Sequence, residues 1–229
     1  MALVRAAFDD RTRVATVELT RPQRRNALDL ATIRELRDAL TEAVSRTHAI
    51  VVTGSGSAFC AGADLSGLPP SDGTAEQRET RLAQLQEISA ALSQVQAILT
   101  DDSVVSFAAI NGPAVGGGWA LALACDVQVA VPEARFWFPE AGMGRAVGEP
   151  SVRLAVRVLG QAVASRAVLM GTRFTARELR SFGVLTDVVT PEALPGTVAG
   201  LAAHAAALGN DVVTLAKSRI RSASTDPPR

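Results

Sequence analysis

Phe59-Cys60-Ala61-Gly62-Ala63-Asp64-Leu65 and Asn111-Gly112-Pro113, running on through Gly116-Gly117-Gly118 into the apolar stretch 119–125, decide how the chain is read. Each follows a β-like run, residues 49–53 in one case and 104–110 in the other, and each is expected to lead through small residues into a helix. A turn of that kind leaves amide N–H groups unpaired at the helix start, where they can hold an anion or a developing oxyanion. Two such turns facing one point would form an oxyanion hole.

Working outward, residues 4–8 and 14–19 flank Asp9-Asp10-Arg11 and read as a hairpin with its turn. After the break at Arg21-Pro22, Asn26-Ala27-Leu28-Asp29 opens a helix in which Leu30, Ile33, Leu36, Leu40 and Ala43 recur at helical spacing up to Val44. The strand at 49–53 is nearly all apolar, as expected when both faces are covered in a parallel sheet. Pro69-Pro70-Ser71-Asp72-Gly73 is the clearest loop. A long helix over 75–99 follows, its stripe of Leu82, Leu85, Ile88, Leu92, Val95 and Leu99 read as core. Residues 104–110 form a buried strand, 118–125 a buried helix, and 126–130 with 135–138 further strand. This alternation points to a βαβ architecture. From Ser151 onward the signals are mostly helical, with a capping box at Thr175-Ala176-Arg177-Glu178, a last short strand at Val188-Val189 and a helix start at Thr190-Pro191. The tail 222–229 is expected to fray.

The length of 229 residues allows one sizeable core, or one domain with an appended helical piece. Lys plus Arg and Asp plus Glu both number 23, so no net field draws the protein to nucleic acid or a membrane. Residues 103–125 carry no charge and could span a bilayer by length. Their internal Asn-Gly-Pro and triple glycine argue for strand, turn and helix instead, because irregular backbone is not tolerated facing lipid. Two cysteines are too few for a disulfide framework, and charges precede any apolar run of signal length, so the expected compartment is the cytoplasm. Lys217 is the only lysine, so a phosphate clamp elsewhere in the chain must be arginine or backbone.

The two glycine turns, in their order and spacing, resemble the crotonase family, also called the enoyl-CoA hydratase/isomerase family. The matching pieces are Arg21-Pro22 with Arg25-Asn26-Ala27-Leu28, then 59–65, then Ile110-Asn111-Gly112 with Gly116-Gly117-Gly118, then Cys125-Asp126, and Phe136 with Pro139-Glu140. The resemblance implies an α/β fold, a spiral of ββα and βαβ turns over 1–190 with a shortened helical C-terminal region over 191–229. It implies homotrimers or hexamers, acyl-CoA as substrate and no cofactor or metal, coenzyme A being part of the substrate. The amides matching Ala63 and Gly117 would hold the thioester oxygen as it gains enolate charge. Ala63, Asp64, Leu65 and Ser66 would line the substrate, the adenine end of CoA would lie near the backbone from Ala61 to Leu65, and Arg25 would stand near the phosphates.

One departure carries more weight than the matches. Hydratases of the family use two glutamates to position a water on C3 and deliver a proton to C2; here the first position is Ala120 and only the second, Glu140, remains. A single carboxylate can still shuttle a proton between C2 and C4 of an enoyl chain. If Phe136, Trp137 and Phe138 desolvate Glu140, its pKa rises toward neutrality, which suits a general base. Glu149, where the family usually has glycine, could supply a second acid. Asp64 reads as a helix cap in preference to a catalytic acid. Cys60 reads as a small buried residue in preference to a nucleophile, because no histidine lies nearby in sequence. Trp119 either fills space or narrows the acyl pocket. The competing reading is a protein that binds acyl-CoA without turnover, motivated by Ala120 and by the substituted loop 145–150.

Overall fold

The computed structural model describes residues 2–225. Strands β1 (Val4–Asp9) and β2 (Val14–Leu19) form the expected antiparallel hairpin, with Val4 opposite Leu19. Asp9 Oδ1 accepts the Arg11 and Thr12 amides at 3.0 and 3.2 Å, which closes the turn with a side chain. Strands β3 (Ala49–Gly54) and β4 (Val105–Ile110) then add in parallel, each apolar and almost wholly buried. The short β5 (Ala114–Val115) leaves that sheet, β6 (Val127–Ala130) rejoins it beside β4, and β7 (Arg135–Trp137) pairs with β5. Strand β8 (Phe174–Thr175) pairs antiparallel with β7, and β9 (Asp187–Val188) closes the main sheet against β6. The six-stranded order is therefore β1-β2-β3-β4-β6-β9, and β5-β7-β8 form a second, smaller sheet.

Helix α1 (Leu30–Arg46) buries Ile33, Leu36, Leu40 and Ala43 as the periodicity requires. It starts later than expected. Arg25 and Asn26 both take left-handed backbone, φ 51 and 56, and Asp29 is the N-cap, accepting the Thr32 amide at 2.7 Å. Asn26 is fully buried: its amide donates to the Ser55 and Ala58 carbonyls at 2.9 and 2.8 Å and its oxygen accepts the Arg21 amide at 3.0 Å. It is a cross-link between two loops, not the first turn of a helix.

Helix α2 (Ala75–Leu99) opens on a Thr74–Gln77 capping box, and α3 (Gly117–Ala124) is buried along nearly its whole length. Helix α4 (Glu149–Met170) is broken at Gly160, where φ is 74. Helix α5 (Ala176–Ser181) has the expected Thr175–Glu178 capping box. Helix α6 (Leu194–Ala206) begins four residues beyond Thr190, whose carbonyl accepts the Ala193 and Leu194 amides; Pro195, not Pro191, occupies its first turn. Helix α6 packs against β2, β3, β4 and β6, and α7 (Asn210–Thr225) is pinned by Lys217, whose Nζ donates to Val104 O and Asp126 Oδ2 at 2.7 Å each. Helix α7 therefore takes in the first part of the tail, to Thr225; 226–229 lie outside the described residues.

The uncharged stretch 103–125 resolves into strand, turn and helix, and among the described residues no single helix is long and apolar enough to cross a membrane. Trp119 fills the core. It is wholly buried, stacks on Phe138 at 4.8 Å between ring centroids, and meets Phe136 and Phe174 at about 6 Å.

Candidate active site

The glycine turns meet because their backbones approach closer than side chains would permit. A Cβ on Gly62 (φ +81) would stand 2.6 Å from Val115 O and 3.3 Å from Gly117 N, and one on Gly118 would stand 2.3 Å from Cys60 O. Only glycine allows that contact. Gly117 is the first residue of α3, so its amide has no partner within the helix.

The first turn is built differently from expectation. It does not enter a helix: α2 starts only at Ala75, after a loop. The Ala63 amide is instead oriented by a parallel bridge in which Leu28 N donates to Gly62 O (2.8 Å) and Asp64 N to Leu28 O (2.9 Å). In that pattern the N–H of Ala63 faces away from Leu28, and it has no acceptor among the described residues. Asp64 is correspondingly no helix cap. Its carboxylate accepts Arg21 Nη2 at 3.0 Å and the Ser66 amide and hydroxyl at 3.1 and 2.7 Å. Burial alone would raise its pKa, but the Ser66 hydrogen bonds and the Arg21 guanidinium outweigh it and hold the carboxyl below its usual range. Arg21 also donates to Ala27 O at 2.6 Å and pairs with Asp29, so one half-buried cation ties three loop segments together.

A cavity of about 470 Å³ opens where the turns meet, lined on that side by Ala63, Gly116 and Gly117. Leu82, Leu85, Ile88 and Leu92 of α2 form the opposite wall, and residues 144–148 with Phe138 and Glu140 complete it. The α2 stripe is thus divided: Val95 and Leu99 are core, whereas Leu82, 54% exposed, stands at the cavity edge. Sequence reasoning missed this wall because a cavity-lining stripe and a core stripe share one periodicity.

Among the described residues Glu140 is the only carboxylate lining the cavity. It leaves β7 through Pro139 into a turn in which its carbonyl accepts the Met143 and Arg145 amides at 3.0 and 2.9 Å. Its Oε1 lies against Gly116, where a Cβ would come within 2.8 Å, and its Oε2 is buried with no partner among the described residues. Burial raises its pKa above the usual value, and the Arg145 charge only partly opposes this. Of the three aromatic residues expected around it, Phe138 lines the cavity and Phe136 and Trp137 do not.

Of the other expected residues, Arg25, Ala61, Asp64, Leu65 and Ser66 do not line this cavity. Ala61 N donates to Arg25 O at 2.9 Å, and the Arg25 and Ser66 side chains are exposed. Ala120 is wholly buried and Glu149 is exposed, paired with Arg153 at 2.7 Å; neither lines the cavity, so Glu149 supplies no second acid there. Burial pushes the Cys60 thiol up to about 12 and raises Cys125 as well, so neither is a thiolate at neutral pH. Among the described residues no three His, Cys, Asp or Glu side chains come together as a metal-ligand set.

The parallel-rich sheet with its flanking helices is the crotonase fold. The chain belongs to the enoyl-CoA hydratase/isomerase family, whose profile matches residues 9–228. Its relatives include the Mycobacterium leprae "Probable enoyl-CoA hydratase echA6", 39% identical over 168 residues that cover 71% of this chain and 62% of that protein. The match therefore spans less than two thirds of that relative. An enoyl-CoA hydratase from Bacillus anthracis superposes with a TM-score of 0.86 at 27% identity, covering 99% of this chain and 85% of the other. A Thermobifida fusca protein solved in complex with CoA superposes at 0.85 with 25% identity, over 99% and 87% of the two chains.

Proposed function

We propose that the protein is an enzyme acting on acyl-CoA thioesters, with double-bond isomerisation or another enolate reaction favoured over two-glutamate hydration. The observation that carries this reading is the lone carboxylate of Glu140, buried, half unpartnered and facing the cavity where the two glycine turns meet. Family membership and the CoA complex of the Thermobifida fusca protein support the thioester as ligand.

In this reading the amides of Ala63 and Gly117 donate to the thioester oxygen. The carboxylate of Glu140 removes the C2 proton of a 3-enoyl chain, and the C2 electron pair moves into the thioester to give an enolate whose negative charge the two amides share. Glu140 then returns the proton to C4, the double bond ends between C2 and C3, and no external reactant is consumed. Each preorganised donor is worth about 3 kcal/mol in the transition state. Hydration would need a second group to hold water, and Ala120 offers only a methyl. Arg25 and the backbone around residues 61–66 would meet the CoA portion outside the cavity, and the active assembly would be a homotrimer or hexamer.

The second reading, binding of acyl-CoA without turnover, is favoured by Ala120 and by the substituted loop 145–150. Absorbance of the conjugated thioester separates the two. Added 3-enoyl-CoA should gain the signal, and 2-enoyl-CoA should keep most of it. Binding of both esters with no spectral change would leave only the binding protein.

A further inference from the structure

The cavity holds one cation as well as one acid. Arg145 lines it, sits half-buried five residues beyond Glu140 on the turn closed by its own amide, and makes no hydrogen bond or ion pair through its guanidinium among the described residues. It does not pair with Glu140, whose Oε2 is left bare and whose acidity is weakened, not strengthened. A guanidinium offers five donors in a planar fork matched to a carboxylate. Ser89, Gln86 and Ser151 line the same cavity and add hydrogen-bonding groups to an otherwise apolar space. In the proposed reading Glu140 serves the reacting carbons, and an anion held by Arg145 in the same cavity would belong to the acyl chain beyond them.

We propose that Arg145 is a specificity-determining residue that pairs with a carboxylate at the far end of a short acyl chain, so the preferred substrates are monothioesters of dicarboxylic acids. This rests on the acyl-CoA reading of the site. The guanidinium forms the fork with the terminal carboxylate, the walls from α2 cover the methylenes between, and the thioester reaches the amides of Ala63 and Gly117. A neutral chain of equal length would leave the guanidinium without that partner.

The test is calorimetric titration of the full chain with adipoyl-CoA and hexanoyl-CoA, saturated esters of equal length that require no turnover. Adipoyl-CoA should bind at least about tenfold more tightly, the scale of one charged hydrogen-bonded pair. Arg145→Met should bring the ratio near one by weakening adipoyl-CoA, and Arg145→Lys should restore part of it. Equal binding of the two esters by the unaltered protein overturns the inference and leaves the acyl-CoA site standing. So does an equal loss of both in Arg145→Met, because the arginine then holds the phosphates common to both. If neither ester binds, the acyl-CoA reading falls and the inference with it.

Discussion

Glu140 is held in a state that suits chemistry and costs stability. A carboxyl whose folded pKa exceeds its unfolded value binds more protons when folded, so stability falls as pH rises from the unfolded pKa through the folded one. Glu140→Gln should therefore melt higher than the unaltered protein at neutral pH, and the gain should vanish below the unfolded pKa. The same substitution should lower the isomerisation rate by roughly 10² to 10⁴ while ester binding stays nearly intact. Unchanged turnover would remove Glu140 from its role. A general base must be ionised, so the rate should climb with pH through the raised pKa and then level; a flat acid limb would contradict that assignment. Asn26 makes the complementary point. Its place in the sequence allowed a helix start, and only its burial against the Ser55 and Ala58 carbonyls exposes it as a cross-link.

At the scale of elements, the site depends on backbone proximity between turns that are remote in sequence. Gly62→Ala should destabilise by about 1–3 kcal/mol from its left-handed conformation alone, and the contact with Val115 O should add to this. Denaturant midpoints would measure it, and an unchanged midpoint would mean the turns do not meet as described. Helix α7 is attached by a different device. Lys217→Met should loosen it by about 1–3 kcal/mol, because Asp126 loses the ammonium and keeps the Ser106 amide and hydroxyl. Hydrogen exchange in α7 should quicken while that in α1 does not. The helices and parallel strands were legible because apolar spacing reports which faces are covered. The helix expected after Ala63 was not, because short small-residue turns look alike whether they enter a helix or bridge to another loop.

At the scale of the whole molecule, Leu169, Met170, Val212, Leu215 and Ile220 are between 52% and 77% exposed. A solution mass of three or six times the chain mass is the expected outcome for the proposed assembly, and a monomer at working concentration would remove it. What the sequence determined by itself was most of the order of strands and helices and the two glycine turns, since these follow from local periodicity and residue chemistry; Glu140 stood out only through the family resemblance. What only the tertiary structure decided was which groups share a space. Ala63 is oriented by Leu28, Glu140 lines a cavity whose far wall is α2, and Arg145 faces that cavity without a partner. Separation along the chain carries no information about such meetings, because they arise from packing between elements that no local rule connects.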